Sequence, residues 1–222
     1  MQPKELPTTL IGDLVASREF GDRSELQRSL EEALQAANSL LDPLQRLETT
    51  VGDEFQGIFS SVAAALRASL LLRLDLLERA DCDSRYGLGY GGVTVFDATR
   101  SPTSQDGPGW WAARQAIDRA GEIAESPRTS FARTCFVCWP DTTDISKFEA
   151  AAIDAVLIFR DATVGQMTPR ERRLLRGFLT GQSQSDLAAK EGITQSAVSQ
   201  GLMRSGAYAV EAAQLRLEED LP

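Results

Sequence analysis

Histidine is absent from this 222-residue sequence. That absence removes the most frequent general base, the side chain that titrates near neutral pH and the commonest ligand of transition metals. Any bound metal is therefore expected to be a hard cation such as Mg²⁺, held by oxygen atoms.

Cysteine is scarce, with only Cys82, Cys135 and Cys138. An odd number argues against a disulfide framework and favours a reducing cytoplasm. The Cys-x-x-Cys spacing in "TCFVCW" is that of a redox or zinc half-site, but we predict a strand there, in which positions three apart face opposite sides. Because no second pair completes a zinc site, we interpret these cysteines as structural.

Long uninterrupted apolar runs are also missing. The most apolar stretch, "VAAALRASLLLRLDLL", contains Arg67, Arg73 and Asp75, so a membrane span is not expected. The N-terminus has no basic segment followed by an apolar one, which argues against a signal peptide. We therefore expect a cytoplasmic protein without a membrane partner.

Charge is distributed unevenly along the chain, whose net charge is −9. Residues 168–217 contain seven Arg or Lys and four Asp or Glu, a local charge of +3, and the acidic run "EED" that follows cancels it. The first 167 residues therefore carry the whole negative charge. Such asymmetry is typical of a protein in which only one part contacts DNA.

Apolar periodicity and turn signals predict the element order βαββαβαβ, which favours an α+β sandwich. Ser24 and Gln27 form a capping-box pattern at the start of the first helix, and Pro43 ends it. The stretch "LETTVGDEFQGIF" is predicted to be a β-hairpin. "RYGLGYGGVTVF" is predicted to be a strand whose glycines admit another backbone or a ligand at close range.

A second unit is predicted to begin at residue 166. Thr168 caps a helix, Pro169 takes its first position and Glu171 completes the capping box. Further on, "SQSDLAAKEGITQSAVSQGLMR" has the helix-turn-helix layout, with Gly192 in the turn and Thr194 as the cap of the second helix.

The outer face of that second helix supplies the predicted DNA contacts, because Gln, Ser and Thr can read base edges or bind phosphates. A helical dimerisation hairpin is the alternative, and Gly201 departs from the usual pattern, which has an apolar residue there. The predicted DNA-binding residues are Thr194, Gln195, Ser196, Ser199, Gln200 and Arg204.

Two acidic positions are candidate metal ligands. Asp13 follows the first predicted strand, and Asp53 lies in the predicted hairpin. Carboxylates on adjacent central strands can converge on divalent cations and their phosphates. The small residues after Asp13 let backbone N–H groups approach a triphosphate. The alternative is that Asp13 is only a turn residue and Asp53 only a hairpin residue.

Four motifs together carry a resemblance to known proteins: "IGDLVASR", "GDEFQG", "YGLGYGGV" and "DGPGWWAAR". They resemble the palm-like catalytic domain of class III nucleotide cyclases and GGDEF-type cyclases and, more closely, the bacterial SatD family. The resemblance covers roughly residues 8–120. It implies a cyclase-like palm (ferredoxin-like) sandwich over residues 1–165, and the helix-turn-helix signal places a small all-α domain over residues 166–222.

The resemblance also implies roles for individual residues. Asp13 and Asp53 match the cyclase aspartates that bind Mg²⁺ or Mn²⁺, and Arg114 matches the arginine that stabilises the transferred phosphate. Trp110 stands where cyclases have Asn and Thr49 where they have a purine-selecting Lys, which counts against cyclisation. The implied nucleotide-binding residues are Gly12, Ala16, Ser17, Gly52 and Trp110; for Trp110 a core or dimer contact is the alternative.

Three hypotheses follow for the function. The first is a DNA-binding transcription regulator, nucleoid-associated when bound, whose cyclase-like domain senses a purine nucleotide with Mg²⁺. The second is an active nucleotide cyclase or nucleotidyl-transfer enzyme localised by its helix-turn-helix, and the third is a palm domain that only dimerises the DNA-binding part. We favour the first, as a homodimer that reads two half-sites.

Overall fold

A computed structural model describes residues 6–100, 102–142 and 144–221. Within these ranges the chain forms seven β-strands and eight α-helices. The strands are β1 (Thr8–Leu14), β2 (Gln45–Thr49), β3 (Phe55–Phe59), β4 (Ser84–Tyr90), β5 (Thr94–Asp97), β6 (Ser104–Asp106) and β7 (Thr134–Cys138). The helices are α1 (Arg23–Leu41), α2 (Val62–Arg79), α3 (Pro108–Glu125), α4 (Lys147–Gln166), α5 (Pro169–Leu179), α6 (Gln184–Glu191), α7 (Gln195–Arg204) and α8 (Ala207–Asp220).

Five strands form the main sheet in the order β2-β3-β1-β4-β7. Strand β1 is antiparallel to both β3 and β4, whereas β7 is parallel to β4. The first four strands and their two crossover helices make the βαββαβ unit of ferredoxin-like folds. The predicted α+β class is therefore confirmed.

Helices cover the two faces of this sheet unequally. Helices α1, α2 and α4 pack on one face around Leu10, Phe59, Leu88 and Phe136. Helix α3 packs on the other face, which we call the α3 face, against Ile11 and Ile58 and along β4 and β7. The alternation of side chains along β1 places Leu10 on the first face and Ile11 on the α3 face.

Two glycines of β4 explain how α3 comes so close to the sheet. A Cβ atom on Gly87 would lie 2.2 Å from the carbonyl oxygen of Ala113, and one on Gly89 would lie 2.2 Å from that of Gly109. The glycine-rich strand thus admits the backbone of α3, one of the two alternatives that its sequence left open.

Two local predictions were wrong. The run "RYGLGYGGVTVF" is not one strand: β4 ends at Tyr90, and β5 pairs with β6 in a separate two-stranded sheet. Helix α1 is capped by Asp22, whose carboxylate accepts from the Ser24 and Glu25 N–H groups, so Ser24 lies inside the helix. Asp22 was available as an N-cap two residues earlier, and its carboxylate satisfies two backbone donors at once.

The four C-terminal helices share a hydrophobic core with α2. Leu70, Leu71 and Leu74 of α2 share one hydrophobic cluster with α5, α6, α7 and α8. Arg176 of α5 pairs with Asp75 of α2 at 2.9 Å. Helix α4 ends at Gln166, the helices beyond it pack on α2, and the domain boundary at residue 166 stays a prediction.

The remaining sequence predictions concern cysteines and membranes. All three cysteines are free, and Cys135 and Cys138 pack in clusters on opposite faces of the sheet. Over the described residues, no helix combines the length and apolar character needed to cross a membrane.

Candidate functional site

Acidic and basic side chains meet where the central strands of the main sheet end. We call this group of residues the acidic edge. It consists of Asp13 near the end of β1, Asp53 and Glu54 in the β2–β3 turn, Arg85 of β4 and Arg114 of α3. The register brings these elements together, because Gly12 lies opposite Phe55 and Asp13 lies opposite Arg85. The two predicted metal ligands are therefore on neighbouring parts of the fold.

The carboxyl group of Asp13 has a raised pKa. Burial raises the pKa of its carboxyl group, Asp53 and Glu54 raise it further, and Arg85 and Arg114 oppose the rise. The Arg85 guanidinium lies 3.8 Å from Asp13 Oδ2, while Asp13 Oδ1 is buried without a hydrogen-bond partner. A buried carboxylate oxygen with no donor is suited to accept a cation.

The donor set of the acidic edge consists of oxygen atoms, as Mg²⁺ and Mn²⁺ prefer. Within the described ranges, no three His, Cys, Asp or Glu side chains converge closely enough to hold an ion by themselves. The orphaned oxygen of Asp13 fits a hard cation, but other oxygen atoms, such as those of a phosphate, have to complete its coordination shell.

Arg114 makes a bidentate ion pair with Glu54. Its Nη2 donates to Glu54 Oε1 at 2.8 Å, and its Nη1 lies 2.8 Å from Glu54 Oε2. This hydrogen bond raises the pKa of the Arg114 guanidinium. Glu54 was not singled out from the sequence, although it directly follows Asp53; neither was Arg85, in "RYGLGYGG".

The predicted nucleotide-binding residues of β1 and the hairpin have different local roles. Gly12 faces the α1/α2 side, where a Cβ would lie 2.3 Å from the Phe55 ring, so packing alone requires a glycine there. Ala16 is exposed with a positive φ of 56° and leads into a short 3₁₀ turn that begins at the buried Ser17. Gly52 takes a positive φ of 68° at the hairpin tip.

The two adjacent tryptophans have different surroundings. Trp110 is 8% exposed and packs with Ile11, Ile58 and Ile117, while its indole Nε1 is buried without a partner. The position agrees with the core alternative. Trp111 is 48% exposed, donates its indole N–H to Asp106 and packs edge-to-face on Trp139.

A buried polar network connects the loop after Asp13 with α2 and α4. The Val15 N–H donates to the Asp83 carbonyl at 2.8 Å. The Asp83 carboxylate pairs with Arg73 of α2 at 2.8 Å and with Arg133 at 2.7 Å. Arg73 also pairs with Asp161 of α4 at 3.3 Å, with both side chains almost fully buried.

Helices α6 and α7 form two arms joined by a tight turn. Ser183 caps α6, Gly192 ends it with a positive φ of 66°, and the Thr194 hydroxyl accepts from the Ala197 N–H at the start of α7. Val198 and Leu202 are buried. The predicted caps and turn are all present.

All six predicted DNA-binding residues lie on or beside the outer side of α7. Five of them are exposed and Ser199 is half-buried. The unusual Gly201 is buried, and a Cβ there would make a tight contact of 3.2 Å with the side chain of Leu174 of α5. The set comprises Thr194, Gln195, Ser196, Ser199, Gln200 and Arg204.

Much of the positive charge of this region is neutralised inside the protein. Arg173 pairs with Glu191 at 2.8 Å and with Glu78 at 3.4 Å, and Arg176 pairs with Asp75. Among the described residues, Arg204 takes part in no ion pair. The local charge of +3 therefore overstates the cationic surface that the region presents.

A sequence model of the SatD family matches residues 8–210. The chain belongs to the SatD family. The match runs from β1 into α8, so the family model covers the C-terminal helices up to the start of α8 as well as the sheet. No curated protein sequence matches this SatD-family chain.

Solved structures similar to part of the chain include two adenylyl cyclases and one guanylyl cyclase. A bacterial light-regulated adenylyl cyclase is 16% identical with a TM-score of 0.43, over 55% of this chain and 74% of the other. The adenylyl cyclase CyaB from P. aeruginosa is 18% identical with a TM-score of 0.40, over 50% and 70%. The dimeric guanylyl cyclase domain of the RhoGC fusion protein from the aquatic fungus Blastocladiella emersonii is 14% identical with a TM-score of 0.39, over 51% and 74%.

Proposed function

We propose that this SatD-family chain is a DNA-binding transcription regulator whose palm domain senses a purine nucleotide together with Mg²⁺ or Mn²⁺. The observation that carries the DNA part is α7, which is capped by Thr194, anchored by Val198 and Leu202 and free on its outer side. A helix with one packed and one open polar face can lie in a major groove.

The DNA part is tested by selecting binding sites from a random duplex library with the full-length protein. Arg204→Ala should weaken the selected complex by about 1–3 kcal/mol if the side chain reads a base, or lower the salt slope by about one if it contacts a phosphate. Arg216→Ala removes the same charge from α8, where Arg216 pairs with Glu219, and is the matched control. Equal effects of the two variants would exclude specific reading by α7.

The sensor part rests on the acidic edge. Asp13 and Asp53 would hold the cation, Arg114 would bind phosphate oxygens, and the loop with Ala16 and Ser17 would offer backbone N–H groups to the triphosphate. Asp13→Asn should abolish cation-dependent nucleotide binding in calorimetry while the near-ultraviolet circular dichroism stays unchanged. Full cation-dependent binding by that variant would exclude this site.

The two parts are connected through α2. Strand β3, which starts at the site hairpin, is followed almost directly by α2, and α2 shares its leucines with the core of the C-terminal helices. A ligand that changes the hairpin can therefore bias the position of α7, and the coupling should be about 1–3 kcal/mol. DNA titrations at fixed salt, with and without nucleotide and Mg²⁺, test this; identical curves would exclude a sensor.

The homodimer belongs to the same proposal, because a twofold operator requires two copies of α7. Sedimentation equilibrium of the full chain, with and without operator DNA, measures it. A monomer that binds a single half-site without cooperativity would remove the dimer from the proposal.

A second candidate function is nucleotide cyclisation or nucleotidyl transfer. One observation favours it. Arg114 lies close enough to Asp13 to oppose the rise in its pKa, so a positively charged side chain stands beside the carboxylates of the acidic edge. Formation of a cyclic or transferred product from ATP or GTP, lost in Asp53→Asn, would select this function over sensing.

A further inference from the structure

The guanidinium of Arg114 is already occupied. Both of its terminal nitrogens contact the two carboxylate oxygens of Glu54, and Glu54 is additionally within 3.4 Å of the Thr50 hydroxyl. The planar guanidinium of an arginine uses the same pair of N–H donors to bind either a carboxylate or a phosphate. A carboxylate on those two donors therefore excludes a phosphate from them.

The other arginine of the acidic edge is engaged as well. Arg85 lies 3.8 Å from Asp13 Oδ2. Each of the two arginines facing the edge is thus associated with an acid of the edge itself. A phosphate that approaches meets cations whose charge is already partly neutralised.

We propose that Glu54 is a positioning residue that competes internally with phosphate for Arg114. The inference rests on the proposed nucleotide site and concerns its selectivity. A polyphosphate must displace the Glu54 carboxylate from Arg114, and the released carboxylate then needs a new positive partner. A divalent cation that arrives with the polyphosphate supplies that partner, so the pair selects cation-bound polyphosphate over the free anion.

Displacing the Glu54 carboxylate from Arg114 costs little free energy, so the exchange is reversible. Glu54 is 28% and Arg114 48% exposed at the side chain, so water and salt screen their attraction. A pair of this kind is strong enough to fix the guanidinium in one orientation and weak enough to be exchanged for a phosphate of higher charge.

The experiment uses inorganic triphosphate as the probe and measures its Kd by calorimetry, first without divalent cation. Glu54→Gln should bind roughly three- to tenfold more tightly than wild type, because Arg114 is released. Arg114→Gln should bind more weakly than wild type, and adding Glu54→Gln to it should restore less than twofold. With saturating Mn²⁺ the advantage of Glu54→Gln should fall below twofold.

Asp118→Asn is the matched control. Asp118 lies one turn beyond Arg114 on α3 and raises the pKa of its guanidinium through charge, and no hydrogen bond joins the two side chains in the described structure. It should tighten metal-free binding by less than twofold. An equal gain in Asp118→Asn and Glu54→Gln would mean that general charge, not occupancy of the guanidinium, controls affinity, and would overturn the proposal.

Failure of this inference is separable from failure of the nucleotide site. If Arg114→Gln weakens binding but Glu54→Gln leaves it unchanged, the site stands and the competition is refuted. If Arg114→Gln binds triphosphate as well as wild type, the assignment of Arg114 to phosphate is refuted and the competition with it. Thermal unfolding of each variant within about 4 °C of wild type verifies the fold, since a half-exposed pair contributes little to stability.

Discussion

Replacement of Arg73 by methionine tests the buried network most directly. Arg73 is 2% exposed and neutralises two carboxylates, those of Asp83 and Asp161. Methionine keeps most of the volume of the side chain but removes the charge. Asp161 then keeps its hydrogen bonds from the Arg133 and Thr134 N–H groups and its ion pair with Arg160 at 3.7 Å, but loses Arg73.

The expected cost follows from that geometry. Because Arg133 still pairs with Asp83 and Arg160 with Asp161, neither carboxylate is left unpaired, and the lost charged hydrogen bonds should cost about 1.5–3 kcal/mol. For a chain of this length that corresponds to a fall in Tm of roughly 3 to 12 °C. Arg79→Met is the control on the same helix: Arg79 is 32% exposed, and its ion pairs with Glu32 and Asp75 should be worth about 0–1 kcal/mol.

The pH dependence adds a second readout. Burial alone would raise the Asp83 pKa, but the ion pairs with Arg73 and Arg133 and the Ser84 N–H outweigh it and lower the pKa below its usual value. A lowered folded pKa contributes stability above the unfolded pKa of about 3.9, and this stability is lost as pH falls through the folded value. Because the variant lacks part of this contribution, the difference between the two proteins should stay nearly constant from pH 7 to about pH 5 and shrink as pH falls below about 3.9.

Urea unfolding at pH 7 and at about pH 3 measures these differences. A loss below about 1 kcal/mol at pH 7, or a loss independent of pH, would refute the role of Arg73 as the charge that balances Asp83 and Asp161. A change in the slope of the unfolding curve would point instead to altered compactness.

Three further predictions concern other parts of the molecule. Gly89→Ala should destabilise the fold strongly and separate α3 from β4, measured by urea unfolding, because its Cβ would lie 2.3 Å from the backbone nitrogen of Ala113. Thr194→Ala should cost about 1 kcal/mol in the same assay by removing the cap of α7, while Ser196→Ala, one residue inside the helix, should cost less. Mn²⁺ affinity in the presence of nucleotide should fall as pH is lowered, because only the ionised Asp13 carboxylate binds the cation. Because burial raises the Asp13 pKa, the fall should begin at a higher pH than a solvated aspartate would give. A Mn²⁺ affinity that stays constant down to about pH 5 would contradict this.

Local chemistry was readable from the sequence wherever neighbouring residues determine it. The capping boxes of Thr168 with Glu171 and Ser146 with Glu149 are present, since each needs only residues three apart. Gly192 takes the left-handed conformation that a tight interhelical turn requires. The strand alternation that separates Cys135 from Cys138 is equally local.

Contacts between distant residues were not readable. Arg114 and Glu54 are 60 positions apart, and nothing in either segment indicates their pairing. The leucines of α2 that contact the C-terminal helices, Leu70, Leu71 and Leu74, cannot be told in sequence from the other leucines of the helix. A helix that is apolar on all sides does not reveal which elements cover each side. The adjacent Trp110 and Trp111 have the same side chain, and only the packing of α3 decides which of them is buried.

The core shared by α2 and the C-terminal helices bears on how the chain is synthesised. Leu70, Leu71 and Leu74 leave the ribosome roughly 100 residues before α5 to α8, which cover them. During that interval an apolar stripe is open to aggregation and to chaperones. A chain that terminates near residue 166 keeps the stripe uncovered permanently, so the last helices serve the solubility of the nascent protein as well as any contact with DNA.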